Sequence, residues 1–305
     1  VSRIVVLSEP QAIELARPEH YAEYFVLSPY VVRGSGGYEM LVRLVNQADD
    51  KAQKVSRIFS AASSDGIHFV MGERAIAPGS AGDPDDGGCE DPTVVRNSGS
   101  YSIFYSGFER KQERSHLLRA DGPHFFALRK GGEFLPVGAF VNPKEAACIA
   151  TAKGYRLFLE CAIDGASRIG VADATTLAGP WQPAPAPFDV RSDRFDSWHL
   201  SPSSAIRRSD GTHVLFYNGA TKKTDWRIAW VVLDATATIV LERSEEPLIA
   251  PFDRTGEDTD IAFAASAVVA DRDTVAIYYS ISDRRLYRSL VHLDGAVDDS
   301  AQQPA

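Results

Sequence analysis

The most regular signal along the chain is a mostly apolar six-residue segment that ends on a polar side chain. It occurs as Tyr38-Glu-Met-Leu-Val-Arg43, Tyr101-Ser-Ile-Phe-Tyr-Ser106, Tyr155-Arg-Leu-Phe-Leu-Glu160, His213-Val-Leu-Phe-Tyr-Asn218 and Val275-Ala-Ile-Tyr-Tyr-Ser280. The starts lie roughly 55 to 65 residues apart, somewhat longer than the ~40–50 residues of common propeller repeats. A shorter segment opening on polar residues precedes each copy: Ser28-Pro-Tyr-Val-Val, Glu90-Asp-Pro-Thr-Val-Val, Lys144-Glu-Ala-Ala-Cys-Ile, Ser201-Pro-Ser-Ser-Ala-Ile and Asp260-Ile-Ala-Phe-Ala-Ala. A third apolar segment follows each copy and runs into an Asp or Asp-Gly turn, at Asp65, Asp121, Asp173, Asp234 and Asp294. Val, Ile, Tyr and Phe fill the segments while Gly, Asn and Asp punctuate them, the composition of strands and turns. Helical spacing is confined to Gln11–Ala16, which predicts one short helical turn at the entry. Five copies of a three- or four-stranded antiparallel unit predict an all-β, five-bladed β-propeller with a central funnel. It would occupy residues 1–297 as a single catalytic domain, with 298–305 a flexible tail. An irregular β-sandwich is the competing arrangement, disfavoured by the even spacing.

In a propeller the first strand of each blade lines the central channel, so the polar residues that open those strands converge. That gathers Ser28, Glu90, Asp91, Lys144, Glu145, Ser201, Ser203 and Asp260. The last residue of each six-residue segment reaches the same mouth: Arg43, Ser106, Glu160, Asn218 and Ser280. Solvated strand ends are also polar, so no single position argues for a site; the coincidence across five units does. Converging carboxyls suit glycoside cleavage, in which one protonated acid donates to the leaving oxygen and an ionised partner activates the nucleophile. Asp91 beside Glu90 fits the acid, because burial and a like charge both raise a carboxyl pKa. The plainer reading is that Asp91 anchors the turn before Pro92.

Composition narrows the partners. The 305 residues are 44% hydrophobic and 24% charged, with a net charge of −9 and a pI near 5.3. These values argue against nucleic acid or an anionic membrane surface as partner. Three cysteines, Cys89, Cys148 and Cys161, are too few for a disulfide framework, and a cytoplasmic location with no signal peptide is the expectation. No metal or cofactor motif stands out: Asp83-Pro-Asp-Asp86 lacks spaced ligands and reads as a solvated loop, and Asp258 and Asp260 read as turn acids. Trp198 and Trp226 suit either sugar stacking or packing. The sequence leaves a homo-oligomer open.

The ordered motifs resemble glycoside hydrolase family 130, the five-bladed β-mannoside phosphorylases and β-mannosidases, over nearly the whole chain. The matching elements are Ser28-Pro29, Arg43, Ser63-Ser64-Asp65-Gly66, Glu90-Asp91-Pro92-Thr93, Lys144-Glu145-Ala146-Ala147, Glu242-Arg243-Ser244, Asp260-Ile-Ala-Phe263 and Tyr278-Tyr-Ser-Ile-Ser-Asp283. The resemblance implies that Asp91 is the general acid, acting directly or through a sugar hydroxyl. It implies sugar contacts from Arg43, Asp65, Lys144, Glu145 and Asp283, with Glu90 tuning or binding beside Asp91. The departures concern phosphate: Thr93, Glu160, His199 and Asn218 stand where the family's phosphate-binding basic residues are expected. A carboxylate at Glu160 repels phosphate and can deprotonate water.

The leading expectation is therefore an exo-acting, inverting β-mannosidase-like hydrolase with Asp91 as acid and Glu160 as base, Glu145 in reserve. Its substrate would be an oligosaccharide or glycoside, with His199 and Asn218 among the binding residues. In direct inverting chemistry the two carboxyls stand ~6.5–9.5 Å apart. The alternatives are a phosphorylase with a phosphate site rebuilt from Arg43, Lys144 and His199, a non-catalytic sugar-binding propeller, and an arabinanase- or invertase-like hydrolase.

Overall fold

The computed structural model describes residues 3–34, 36–50, 53–97, 99–252 and 258–297. The expected tail, 298–305, lies outside the described residues. Among the described residues the strands pair into four sheets, within which the chain runs as five successive antiparallel meanders, here called units one to five; a parallel bridge from Ser56 to Gly88 joins the first two into one nine-stranded sheet. Unit one comprises Phe25–Gly34, Gly37–Val45, Ser56–Ser63 and His68–Ile76. Unit two comprises Gly88–Asn97, Ser100–Glu109, Arg114–Gly122 and Arg129–Glu133. Unit three comprises Lys144–Thr151, Gly154–Ile163, Ala166–Ala174 and Gln182–Ala184. Unit four comprises His199–Arg207, His213–Ala220, Arg227–Leu233 and Val240–Arg243. Unit five has Ala262–Asp271, Thr274–Ile281 and Arg285–Leu293. Its fourth strand comes from the other end of the chain, where Ile4–Val6 pairs antiparallel with Arg285–Leu293.

The second strands are apolar on both faces because each lies between two cores. Ile103 and Tyr105 pack with Leu41, Ile58 and Val94 in the core between units one and two, whereas Phe104 packs with Leu157 and Cys148 between two and three. Phe158 and Leu215 meet between three and four, and Phe216 and Ile277 between four and five. Tyr278 and Met40 meet between five and one. A period of two thus assigns alternate side chains to alternate neighbours, and burying each fully contributes about 1.5–3 kcal/mol.

Gln11–Ala16 is not helical. Gln11–Ala12 pairs with Arg285–Leu293, and Glu14–Ala16 runs parallel to His68–Val70. Six residues do not repay helix nucleation, and the main chain bonds across units instead, Ile13 N–H to Leu286 O (2.9 Å) and Glu14 N–H to Ile67 O (3.0 Å). The loop Asp83–Asp86 also differs from its expectation. Asp85 is buried, accepting from Tyr105 Oη at 3.0 Å and pairing with Lys130 Nζ at 2.5 Å. No helix among the described residues is long and apolar enough to cross a membrane.

Candidate active site

Every first strand carries a register irregularity near its entrance, falling between Leu27 and Tyr30, Glu90 and Thr93, Lys144 and Ala146, Pro202 and Ala205, and Ala264 and Ser266. A bulge leaves its extra residue outside the ladder and re-aims that side chain. In units one to three the extra residues include Ser28 (φ 47°), Asp91 (φ 47°) and Glu145 (φ 43°), all left-handed. Such backbone costs about 1–3 kcal/mol per non-glycine residue and persists where the surroundings over-determine it. Here neighbouring units supply the constraint. Ser28 Oγ donates to Asp91 Oδ1 at 2.6 Å, and the Glu145 N–H donates to Ser106 Oγ at 3.1 Å. Gly88 brings the second strand set in: its φ is 154°, and a Cβ there would lie 2.9 Å from the Ser56 nitrogen. Only glycine permits that approach, and Ser56 in turn supports the next residue.

Arg43, from the end of unit one's second strand, spreads its guanidinium over three partners. Nε donates to Ser56 Oγ (2.8 Å), one terminal nitrogen to Asp91 Oδ1 (3.1 Å) and the other to Glu90 Oε1 (2.5 Å). One unit further round, Lys144 Nζ lies 3.2 Å from Glu160 Oε1, which also accepts from Ser167 Oγ at 2.6 Å. The Ser167 N–H donates to His199 Nδ1 at 3.1 Å. That bond leaves the neutral imidazole proton on Nε2. Burial pushes the His199 pKa down, against the pull of Glu160. The His199 ring lies 5.4 Å from Trp226, which packs edge-on to Phe263 at 5.2 Å.

The electrostatics separate the acids. Burial alone would raise Asp91, yet Arg43, Ser28 and Lys144 outweigh it and hold its carboxyl below the usual range. Glu90 is raised, by burial first and by Asp91 next, against Arg43. Burial, then the charges of Asp91 and Glu160, raise Glu145 well above the ordinary glutamate value. Burial also raises Asp283, whose chief compensating charge is Arg43. The expectation that crowding raises Asp91 is therefore corrected: Asp91 is the ionised member, because its oxygens receive the donors. Carboxyls with separated proton affinities in one cluster are the arrangement that acid–base chemistry requires.

Of the residues singled out in the sequence, Arg43, Glu90, Asp91, Lys144, Glu145, Glu160 and Asp283 share this cluster, and His199 borders it through Ser167. Two do not serve as expected. Asp65 follows Ser63, the far end of the strand whose first residue, Ser56, touches Arg43; seven steps along a strand span about 23 Å. Its carboxylate caps its own turn, accepting from the Ile67 N–H (2.8 Å) and His68 N–H (2.9 Å). Asn218 is completely buried and clasps Ala264, donating to its carbonyl at 3.2 Å and accepting its N–H at 2.8 Å. Thr93 is likewise committed to packing, donating to Ala146 O at 2.6 Å. The structure adds Ser56 and Ser167, in the first two residues of third strands, and Arg168, whose guanidinium lies 5.6 Å from the Trp198 ring and bonds the Trp198 carbonyl. The signal for the serines was available: third strands begin at the same end as second strands finish.

No protein-family model matches the chain. A curated relative, 1,2-beta-oligomannan phosphorylase of Thermoanaerobacter sp. (strain X514), is 24% identical over 236 residues, covering 75% of this chain and 76% of that protein. Beta-1,2-mannobiose phosphorylase from Listeria innocua, solved with beta-1,2-mannobiose, superposes with a TM-score of 0.77 at 18% identity, over 95% of this chain and 96% of that one. A glycosyl hydrolase from Bacteroides ovatus gives 0.74 at 18% identity, over 93% and 96%. A third structure belongs to work describing, within the GH130 family of mannoside phosphorylases, glycoside hydrolases that target beta-1,2 mannosidic linkages in Candida mannan. It also gives 0.74 at 18% identity, over 94% and 96%. The structural likenesses establish a shared all-β fold, and the curated relative adds sequence similarity to a 1,2-beta-oligomannan phosphorylase over three quarters of the chain.

Proposed function

We propose that the five units close into a five-bladed β-propeller forming one catalytic domain over residues 1–297, and that it is an exo-acting, inverting glycoside hydrolase of β-mannosides. Glu160 is the observation that carries the reading. It is an acid only 3% exposed, and Lys144 and Ser167 hold it beside the Asp91 cluster. An inorganic phosphate entering there would face a buried carboxylate, whereas a water molecule would meet a base. In this reading Asp91 delivers the proton to the glycosidic oxygen and Glu160 accepts one from the attacking water. Arg43, Glu90, Lys144 and Asp283 bind sugar hydroxyls by charge-assisted hydrogen bonds. The relatives' named substrates make β-1,2-linked mannosides the first to test.

Phosphorolysis is the second reading. It is favoured by the curated relative's name and by the cations near Glu160, since Lys144 and Arg168 both act on His199. One assay separates the two: purified protein with β-1,2-mannobiose, with and without inorganic phosphate. Mannose released in the absence of phosphate, and lost in Glu160→Gln, is expected. Strict phosphate dependence, with mannose 1-phosphate as product, sinks the hydrolase reading.

A further inference from the structure

The first strands carry a second repeated pattern, at the end away from the bulges. The residue paired with the start of each six-residue segment is Arg33 (opposite Tyr38), Arg96 (Tyr101), Ala150 (Tyr155), Arg207 (His213) and Val269 (Val275). All five line one cavity of about 90 Å³. In units one to three it lies five residues beyond Ser28, Asp91 and Glu145, about 16 Å along the strands. Three of the five positions are arginines in a chain of net charge −9, and no Asp or Glu is among the described residues that line the cavity.

Two of these guanidiniums are held in place without being neutralised. Arg33 lies 5.8 Å from the centre of the Tyr38 ring and Arg96 lies 5.6 Å from that of Tyr101. Arg33 donates to Ala270 O at 2.8 Å, and Arg96 donates to Arg33 O; both acceptors are uncharged. The carboxylate that Arg96 meets, Glu39 at 3.9 Å, also accepts from Tyr101 Oη at 2.8 Å. The Arg96 Nε–H is buried with no hydrogen-bond partner, a costly state that an acceptor would relieve. No hydrogen bond or ion pair joins the exposed Arg207 side chain to another described residue. Apolar walls from Val94, Ile149 and Val268 lower the local dielectric, which strengthens repulsion among the cations and attraction for an anion alike. The volume matches about three water molecules, the scale of one tetrahedral oxyanion rather than of a disaccharide.

We propose that Arg33, Arg96 and Arg207 form a binding site for one phosphate-class oxyanion, at the opposite end of the first strands from the carboxyl cluster. The ligand is free inorganic phosphate or the phosphoryl group of a sugar phosphate. Planar guanidinium forks suit such an anion, because each presents donors in fixed directions to its oxygens. The bound anion joins the first strands of units one, two and four, so it braces the arrangement of the units as well as neutralising charge. Phosphate then stabilises the protein without being a substrate, and the site is independent of what Glu160 does at the other end.

Calorimetric titration of the full chain with inorganic phosphate at low ionic strength reads the site directly. One phosphate per chain is expected, displaced by sulfate but not by chloride at matched ionic strength. Affinity should fall about tenfold or more in Arg207→Gln and in Arg33→Gln and stay unchanged in Glu160→Gln. Both arginines are exposed, so these variants keep the fold. Mannose 1-phosphate binding within a few-fold of inorganic phosphate assigns the site to phosphoryl groups at large; its failure to bind confines the site to the free ion. No binding by wild type, or displacement by chloride as readily as by sulfate, overturns the proposal. Affinity that survives Arg207→Gln and rises in Glu160→Gln also overturns it, because the phosphate would then sit at the catalytic end. So does binding that emerges only in Asp298→Asn/Asp299→Asn. Those acids follow Val297, a lining residue whose N–H donates to Arg207 O at 2.9 Å, and the chain's own carboxylates would then hold the arginines. None of these outcomes bears on the hydrolase reading, which the mannobiose assay decides separately.

Discussion

Arg43 connects first, second and third strands through one side chain, and a lysine could not do so. Its planar fork meets Ser56, Glu90 and Asp91 at once, and those directions are fixed by the guanidinium rather than chosen by rotamer. Asp91 is depressed and carries the charge, whereas the carboxyls of Glu145 and Glu90 are raised and keep their protons to higher pH, and the consequence is measurable as stability. Glu145 has a raised carboxyl pKa in the folded state and ionises near 4.3 when unfolded. Folded protein therefore binds more protons, so this group's contribution is fully present below about pH 4.3 and is lost as pH rises through its folded value. Glutamine cannot ionise and escapes that loss. The melting temperature of Glu145→Gln should match wild type below about pH 4.3 and exceed it increasingly as pH rises from there, the gap growing by at most ~1.4 kcal/mol per pH unit. A gap that does not change with pH would mean that Glu145 titrates as an ordinary surface acid. Asp91 works in the opposite direction: its stabilising ionisation is lost as pH falls below the carboxylate range.

At the scale of elements, Asn218 shows why a strand-end polar residue need not be a ligand. It ends an apolar segment as Arg43 and Glu160 do, yet its amide serves as a two-point clasp on Ala264 of the next unit. Asn218→Ala would orphan a buried N–H and a buried carbonyl, each worth about 1–3 kcal/mol. Urea unfolding should show a loss of about 2–4 kcal/mol with KM on mannosides little altered; a large KM change at unaltered stability would return Asn218 to the binding site. The same unit pair explains what could be read in advance. Alternation in the second strands was legible because both faces are core, and paired carboxyls were legible because repeat spacing aligned them. The bulges were not, since a one-residue register slip leaves no mark in composition. Ser28-Pro29 and Asp91-Pro92 are the nearest hint, an X-Pro pair at two of the five slips. Asp65 misled because Ser-x-Asp-Gly signals a turn, and only the strand's length decides at which end of the unit that turn falls.

At the scale of the molecule, the proposed ring depends on one contact of a different kind from the rest. Four units draw their strands from contiguous chain, but the fifth borrows Ile4–Val6, with Ile4 opposite Leu293 and Val6 opposite Val291. Ile4 is buried in the core between units four and five, and Leu7 continues the contact through its N–H to Leu290 O at 2.8 Å. Joining the two ends of the chain ties first and last units together, so Arg43 of unit one and Asp283 beyond unit five's second strand stay within one electrostatic cluster. Deleting residues 1–6 removes the Ile4 side chain from that core and opens the edge of the last strand at residues 291–293. The burial alone is worth about 2–3 kcal/mol, equivalent to roughly 5 °C in Tm for a chain of this size. An unpaired edge is also a template for another chain. The truncated protein should therefore melt lower and aggregate with rising concentration, and its activity should fall through a lower kcat as the cluster loosens. Unchanged melting and turnover after the deletion would show that the ring holds without its borrowed strand, and that the site's geometry is set within units one to four.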